Sequence, residues 1–317
     1  MTFVLLTGFT AYAQEDSTAI QTDSIAAEPT EVTQPVKVKY YKAKPISVFP
    51  SIWLIDNQTV TVPNKGTFEM DIMHRFGPVK EGYRNFLGFF ATSNIRLGFS
   101  YVPVKNLMIG FAITRENMTW DAYAKYAIIQ QSKQVKWMCF SLAYYGDIAI
   151  DGRAILKKAE RGTVAGNEKL KEVFPWKTAR LSFFNQLILA RRFHERFSMQ
   201  IAPSWTHQNY VEGYYSDSAT ISPKRKWDHF AIAFGFSIKL KKNMNLMINY
   251  DQPITKHKFD NPLSNLSFGL EFATSGHAFQ VFAGRYYSIT PQRNNYFNQN
   301  DWKGFLLGFN ITRLWSF

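Results

Sequence analysis

Residues 303–317, KGFLLGFNITRLWSF, alternate. Counting back from Phe317, every second residue is Trp315, Arg313, Ile311, Phe309, Leu307 and Phe305. Between them stand Ser316, Leu314, Thr312, Asn310, Leu306 and two glycines, Gly308 and Gly304. A period of two over a dozen residues is a strand with one apolar face, not a helix. An edge strand of a soluble sandwich would read the same way over so short a stretch, so the rest of the chain has to decide.

Working back toward the amino terminus, the alternation recurs. Residues 67–76 set Phe68, Met70, Ile72 and Phe76 against Thr67, Glu69, Asp71 and Arg75. Residues 227–240 set Phe230, Ile232, Phe234, Phe236, Ile238 and Leu240 against Ala231, Ala233, Gly235, Ser237 and Lys239. Further alternating segments lie at 93–102, 106–114, 119–129, 135–148, 179–193, 196–207, 243–251, 264–273 and 277–287, which makes twelve predicted strands. The connections are short at 103–105, 130–134, 194–195, 241–242 and 274–276, and long at 78–92, 151–178, 208–226, 252–263 and 288–301. Short and long alternate in phase, apart from one short turn between the third and fourth strands on the long-loop side. Membrane barrels keep that phase because their periplasmic turns are short and their outer loops long; a sandwich has no reason to. The fold expected is all-β: a transmembrane antiparallel β-barrel of about twelve strands over residues 53–317.

Composition agrees. The chain of 317 residues carries 28 Phe, 16 Tyr and 8 Trp, the aromatic load of interface girdles. Trp53, Trp120, Trp137, Trp205, Trp227, Trp302 and Trp315 fall near predicted strand ends, as interface anchors do. Mean hydropathy is −0.23, with no apolar run of the ~18 residues that a membrane helix needs. The single cysteine, Cys139, excludes an intramolecular disulfide framework and a cysteine metal cluster.

At the amino terminus, residues 1–13 read as a secretory signal peptide: an apolar run over 3–9, then Ala11-Tyr12-Ala13 as a cleavage site. The positively charged n-region is missing, which implies a start further upstream. Residues 14–52 read as a flexible periplasmic tail, rich in Thr, Ser, Ala, Gln and Pro, with five acids (Glu15, Asp16, Asp23, Glu28, Glu31) ahead of four lysines (Lys37, Lys39, Lys42, Lys44). Such a tail is where a periplasmic or envelope partner would bind.

Two features resemble known outer-membrane proteins. A long closing strand ending in an aromatic resembles the signal that such barrels present to their assembly machinery, and gives that role to Phe317; Arg313 departs from the pattern. The Lys65-Gly66-x-x-Glu69 opening, His74-Arg75-Phe76-Gly77, Asn94-Ile95-Arg96 and Trp120-Asp121-x-x-x-Lys125-Tyr126 resemble a Bacteroidetes-type family of outer-membrane β-barrels, over about a quarter of the chain. The resemblance implies a barrel in the outer membrane of a Gram-negative bacterium. It implies no activity.

Candidate functional residues follow from the face assignment. Glu69, Asp71, Arg75, Arg96, Asp121, Lys125 and Glu271 point into the lumen. Charges inside a membrane protein mark functional sites by default. Here they could form a paired network holding the barrel's shape, a polar constriction that selects solutes, or a catalytic site. The net charge of +13 sits mainly elsewhere, with Arg191, Arg192 and Arg196 at one set of strand ends and Lys224, Arg225 and Lys226 in a long connection. These would meet lipid phosphates, or an acidic ligand outside the cell. They form no contiguous face with stacking aromatics, which argues against nucleic acid. The loop 151–178 has helix-prone stretches and would plug the lumen or lie in solvent. A barrel hydrolase needs a Ser–His pair, and the six histidines stand apart in sequence. No phosphate loop, metalloprotease or calcium motif is present, and no cofactor or metal is expected. The function expected is passage of a small solute or lipid-like molecule, with a non-enzymatic scaffold in an envelope complex as the alternative and a lipid hydrolase third.

Overall fold

The computed structural model describes residues 44–153, 177–216 and 221–317. The signal peptide, most of the tail and nearly all of the loop 151–178 lie outside the described residues.

Twelve antiparallel strands close into one barrel, each paired with its neighbours in sequence: β1 (Thr67–Pro78), β2 (Asn94–Val104), β3 (Leu107–Thr114), β4 (Thr119–Ile129), β5 (Ser141–Ile150) and β6 (Leu181–His194), then β7 (Phe197–Gln208), β8 (Asp228–Lys241), β9 (Met244–Pro253), β10 (Asn265–Ala273), β11 (His277–Gly284) and β12 (Leu306–Ser316). The carboxy-terminal strand closes the cylinder against β1, with Ile311 opposite Ile72 and Trp315 opposite Phe68. At the seam's edge Phe317 N–H reaches the Gly66 carbonyl at 3.4 Å. Gly66 has φ +82, and a Cβ there would stand 2.8 Å from the Phe317 carbonyl oxygen, so only glycine fits the approach.

The period of two is the cause of this architecture. Along β1, Thr67, Glu69, Asp71, Met73 and Arg75 are buried and the residues between them are partly exposed. Around the cylinder the outward set is large and apolar, with Phe111, Ile148, Leu187, Phe230, Phe268 and Val281 all exposed. A continuous apolar belt of this size is incompatible with water and suited to lipid. Closure removes every edge, so each strand's backbone groups are paired within the sheet.

Two expectations fail. The strand expected at 135–148 is β5, beginning at Ser141, and residues 130–140 form a folded turn. There the Gln131 side chain substitutes for a ladder pair, donating to the Arg192 carbonyl at 3.0 Å and accepting Arg192 N–H at 2.8 Å. Trp53 is no interface anchor. It is buried in the middle of the barrel.

Candidate functional site

The lumen is filled by the chain's own amino-terminal segment. Residues 45–62 enter beside the β4–β5 turn, where Ile46 N–H donates to the Gln131 carbonyl at 2.7 Å and Pro45 bridges Ser132. Ser198 Oγ then donates to the Val48 carbonyl. A tight hairpin follows, with Trp53 paired to Gln58 and Leu54 to Asn57. Its tip is Ile55, at φ 58, and Asp56. The flexible tail expected up to residue 52 therefore stops short, because Val48, Phe49 and Ile52 are buried in the core of the barrel. Gly235 on the wall gives the hairpin room: a Cβ there would lie 2.4 Å from Leu54 Cδ2.

The hairpin is keyed to the wall by polar contacts on all sides. At the tip, Asp56 pairs with Arg75 at 3.0 Å and accepts from Ser267 at 3.2 Å. Asn57 donates to Asp251 at 2.7 Å, and Lys125 donates to Gln58 at 2.8 Å and to the Thr59 carbonyl at 3.2 Å. Gln200, Gln280 and Asn310 donate to the carbonyls of Gln58, Trp53 and Ile55. Trp53 Nε1–H donates to Asp71. Buried polar groups need such partners, and here a mobile-length segment supplies them where side chains of the wall alone do not.

All seven lumen candidates are buried on the inner face. Arg96 bridges Asp71 at 3.3 Å and Asp121 at 2.7 Å, a triad whose three members all stand on wall strands and which the hairpin meets through Trp53. Arg75 and Lys125 instead serve the hairpin. Glu271 accepts from Gln280 at 3.0 Å and Asn245 at 3.1 Å. Among the described residues both carboxylate oxygens of Glu69 are buried without a hydrogen-bond partner, which makes it the least satisfied of the seven candidates.

A second closure comes from the other end. The last long loop folds in as a helix of about two turns, α1 (Pro291–Phe297), packed on β6, β7 and β8. Gln292 donates to Asp147 at 2.6 Å, Asn295 to Ser204 at 3.2 Å, and Tyr296 to the Lys226 carbonyl at 2.7 Å. Beside it the fold joins two histidines that are far apart in sequence. His257 Nδ1 accepts Lys226 N–H at 3.0 Å, and its Nε2 lies 2.9 Å from His229 Nδ1. Burial, then Arg225 and Lys226, lower the His257 pKa to about 4. Burial raises the Tyr296 phenol. Elsewhere His207 pairs with Asp228, His74 stacks on Phe309, and His277 meets Arg313.

The six basic candidates divide between the two rims. Arg191 and Arg196 are exposed at the short-turn end, with Arg192 donating to the Ser47 carbonyl where the hairpin enters. At the long-loop end Lys224 pairs with Glu212, Arg225 stacks on Phe297 at 4.9 Å, and Lys226 is held through its backbone. Sequence reasoning missed Asp56, Asn57, Gln58 and Asp147. The available signal for the first three was a turn-forming Asp-Asn pair flanked by apolar residues and bracketed by Pro50 and Pro63.

The fold and this interior define a membrane-spanning β-barrel closed from both ends by its own chain. The chain belongs to the family described as a membrane-bound beta barrel domain, DUF5777, whose model matches residues 49–315 and so takes in the hairpin with the wall. No curated protein matches it. Among solved structures it is similar to the NanC porin, with TM-score 0.44 and 9% identity over 79% of this chain and 98% of that one. The KdgM porin gives 0.42 and 9%, over 78% and 99%, and an outer membrane channel from Pseudomonas putida F1 gives 0.40 and 9%, over 80% and 97%. At these values the likeness bears on neither register nor cargo.

Proposed function

We propose that this barrel is a gated passage for a small solute in the outer membrane of a Gram-negative bacterium, closed in this state by residues 45–62 and α1. The observation that carries the reading is the hairpin. It fills a twelve-strand lumen with a segment that is held by hydrogen bonds and one ion pair and enters from one rim. A lumen meant only to be solid could be filled by wall side chains, as smaller barrels are. The short turns then face the periplasm and the long loops the exterior.

Planar-bilayer recording tests this. The wild-type protein is expected to show rare openings, and the Asp56→Ala/Asn57→Ala/Gln58→Ala variant sustained ones. A folded triple variant that stays silent at every voltage would sink the passage reading and leave the scaffold. Phospholipid hydrolysis abolished by changing one histidine would overturn both.

At the short-turn rim, Arg191, Arg196, Lys239, Lys241 and Lys242 are exposed together, with Glu195 the acid among them. Lipid phosphates are their fitting partners, each contributing about 1 kcal/mol near an anionic surface. Anionic vesicles should bind the protein more tightly than zwitterionic ones, with the difference reduced in Lys241→Gln/Lys242→Gln.

A further inference from the structure

Above α1 the long-loop end holds a cavity of about 750 Å³. That is the size range of small-molecule sites. Its lining includes five cations, Arg153, Arg180, Lys224, Arg225 and Arg293, and three acids, Asp151, Glu212 and Asp260. Each acid is already engaged: Asp151 with Arg153 at 2.7 Å, Glu212 with Lys224 at 3.2 Å and Asp260 with Arg225 at 3.9 Å. Arg293 pairs with Glu116, which is not part of the lining. Arg180 donates its Nε–H to the Asp151 backbone carbonyl at 2.6 Å, and among the described residues no carboxylate forms an ion pair with it. Among the described residues the lining therefore carries one positive charge, that of Arg180, beyond its ion pairs.

The arginines are also held in a particular way. Arg225 and Arg293 each place a guanidinium over the Phe297 ring, at 4.9 and 5.0 Å. Stacking occupies the face of a guanidinium and fixes its plane; Arg225 Nε–H donates to the Asp260 carbonyl and Arg293 Nε–H to Glu116, so their Nη groups are the in-plane donors for a planar oxyanion. Two guanidinium groups on one ring, in a cavity with surplus positive charge, are preorganised for carboxylate or phosphate oxygens.

We infer that this vestibule binds a small organic anion on Arg180, Arg225 and Arg293, as the outer station of the passage; the inference rests on the passage reading for its role but not for the binding. The ligand is a free solute rather than a lipid headgroup, because the floor is α1 inside the wall, not the lipid-facing surface. Its binding loads the helix that closes the outer end.

The test is calorimetric titration of the full-length protein in zwitterionic detergent at low salt, with citrate as the probe and glycerol as the neutral control. Saturable citrate binding is expected, weakened about tenfold or more in Arg225→Gln and in Arg293→Gln, the loss of a charge-assisted contact. Lys224→Gln, at a half-exposed side chain whose removal leaves the helix intact, should weaken it about threefold. Lys241→Gln, on the far rim, should leave it unchanged. Absence of saturable binding overturns the inference. So does unaltered affinity in the folded arginine variants, or an equal loss in Lys241→Gln. Citrate binding in a protein whose plug-released variant never conducts would sink the passage alone. Conductance without citrate binding would sink the anion site alone.

Discussion

In the wall, every strand divides its residues between lipid and lumen. Phe68, Met70 and Ile72 face out while Glu69 and Asp71 face in. In residues 48–60 neither side meets lipid, and apolar Phe49, Trp53 and Leu54 are buried alongside polar Asp56, Asn57 and Gln58. The wall is thus specified by a repeating pattern that tolerates exchange of one outward apolar residue for another. The hairpin is specified by individual hydrogen bonds to named partners. Stability of the wall is spread over twelve ladders; that of the hairpin is concentrated in a few keys.

The sharpest way to break that contrast is through Arg96, whose two ion pairs are both with wall residues. Arg96→Ala leaves Asp71 and Asp121 buried without their cation and should cost about 3–5 kcal/mol, read as a lowered urea midpoint of the whole barrel. An unchanged midpoint would show that the triad does not hold the wall. Next comes the lipid face. Phe234→Lys near the middle of β8 should cost about 2–4 kcal/mol in lipid vesicles, with no change in hydrogen exchange within the hairpin. The hairpin should behave in the opposite sense. Asn57→Ala removes the Asp251 contact, worth about 1–3 kcal/mol for a buried polar partner left alone. Faster exchange at Thr59 N–H, which bonds the Ile52 carbonyl, with the global midpoint nearly kept is the expected result. A parallel fall of both would mean that wall and plug are one cooperative unit.

Smaller effects sit at the two ends. Deleting Phe317 removes a single long hydrogen bond from the folded seam, so the finished barrel should be barely less stable while its amount in the membrane falls. Normal membrane levels would remove the assembly role. The weakest effect is at His257. Its pKa falls from 6.5 to about 4 on folding, so as the pH drops through that window the unfolded loop takes up a proton before the folded one does. A proton on Nδ1 would also face the Lys226 N–H that now bonds it. Exchange in residues 254–264, corrected for intrinsic rates, should rise at pH 5 relative to pH 7, and a flat profile would show that His257 does not hold this loop.

The same contrast explains what was legible beforehand. Each barrel strand announces itself by two faces in two solvents, so all twelve could be read, with the largest error at residues 135–140, where a folded turn carries strand-like Val135 and Trp137, and a smaller one at 285–287, beyond the end of β11. The lumen charges were readable for the same reason. The hairpin has no second solvent, hence no period, and its prolines and short polar tip look like the end of a linker. Helix α1 is polar and seven residues long, too short for a helical period to emerge. His229 and His257 meet only through strand pairing and a loop, which spacing does not encode.

Both closures share a topological property. The hairpin leaves and re-enters at the short-turn rim, since Pro45 lies by Ser132 and Gly66 N–H bonds the Val102 carbonyl. Helix α1 is likewise a loop with both ends at the opposite rim, between β11 and β12. Neither segment is threaded through the cylinder. Each can be drawn out tip last, like a fold of rope from a pipe, without unzipping a single ladder of the wall.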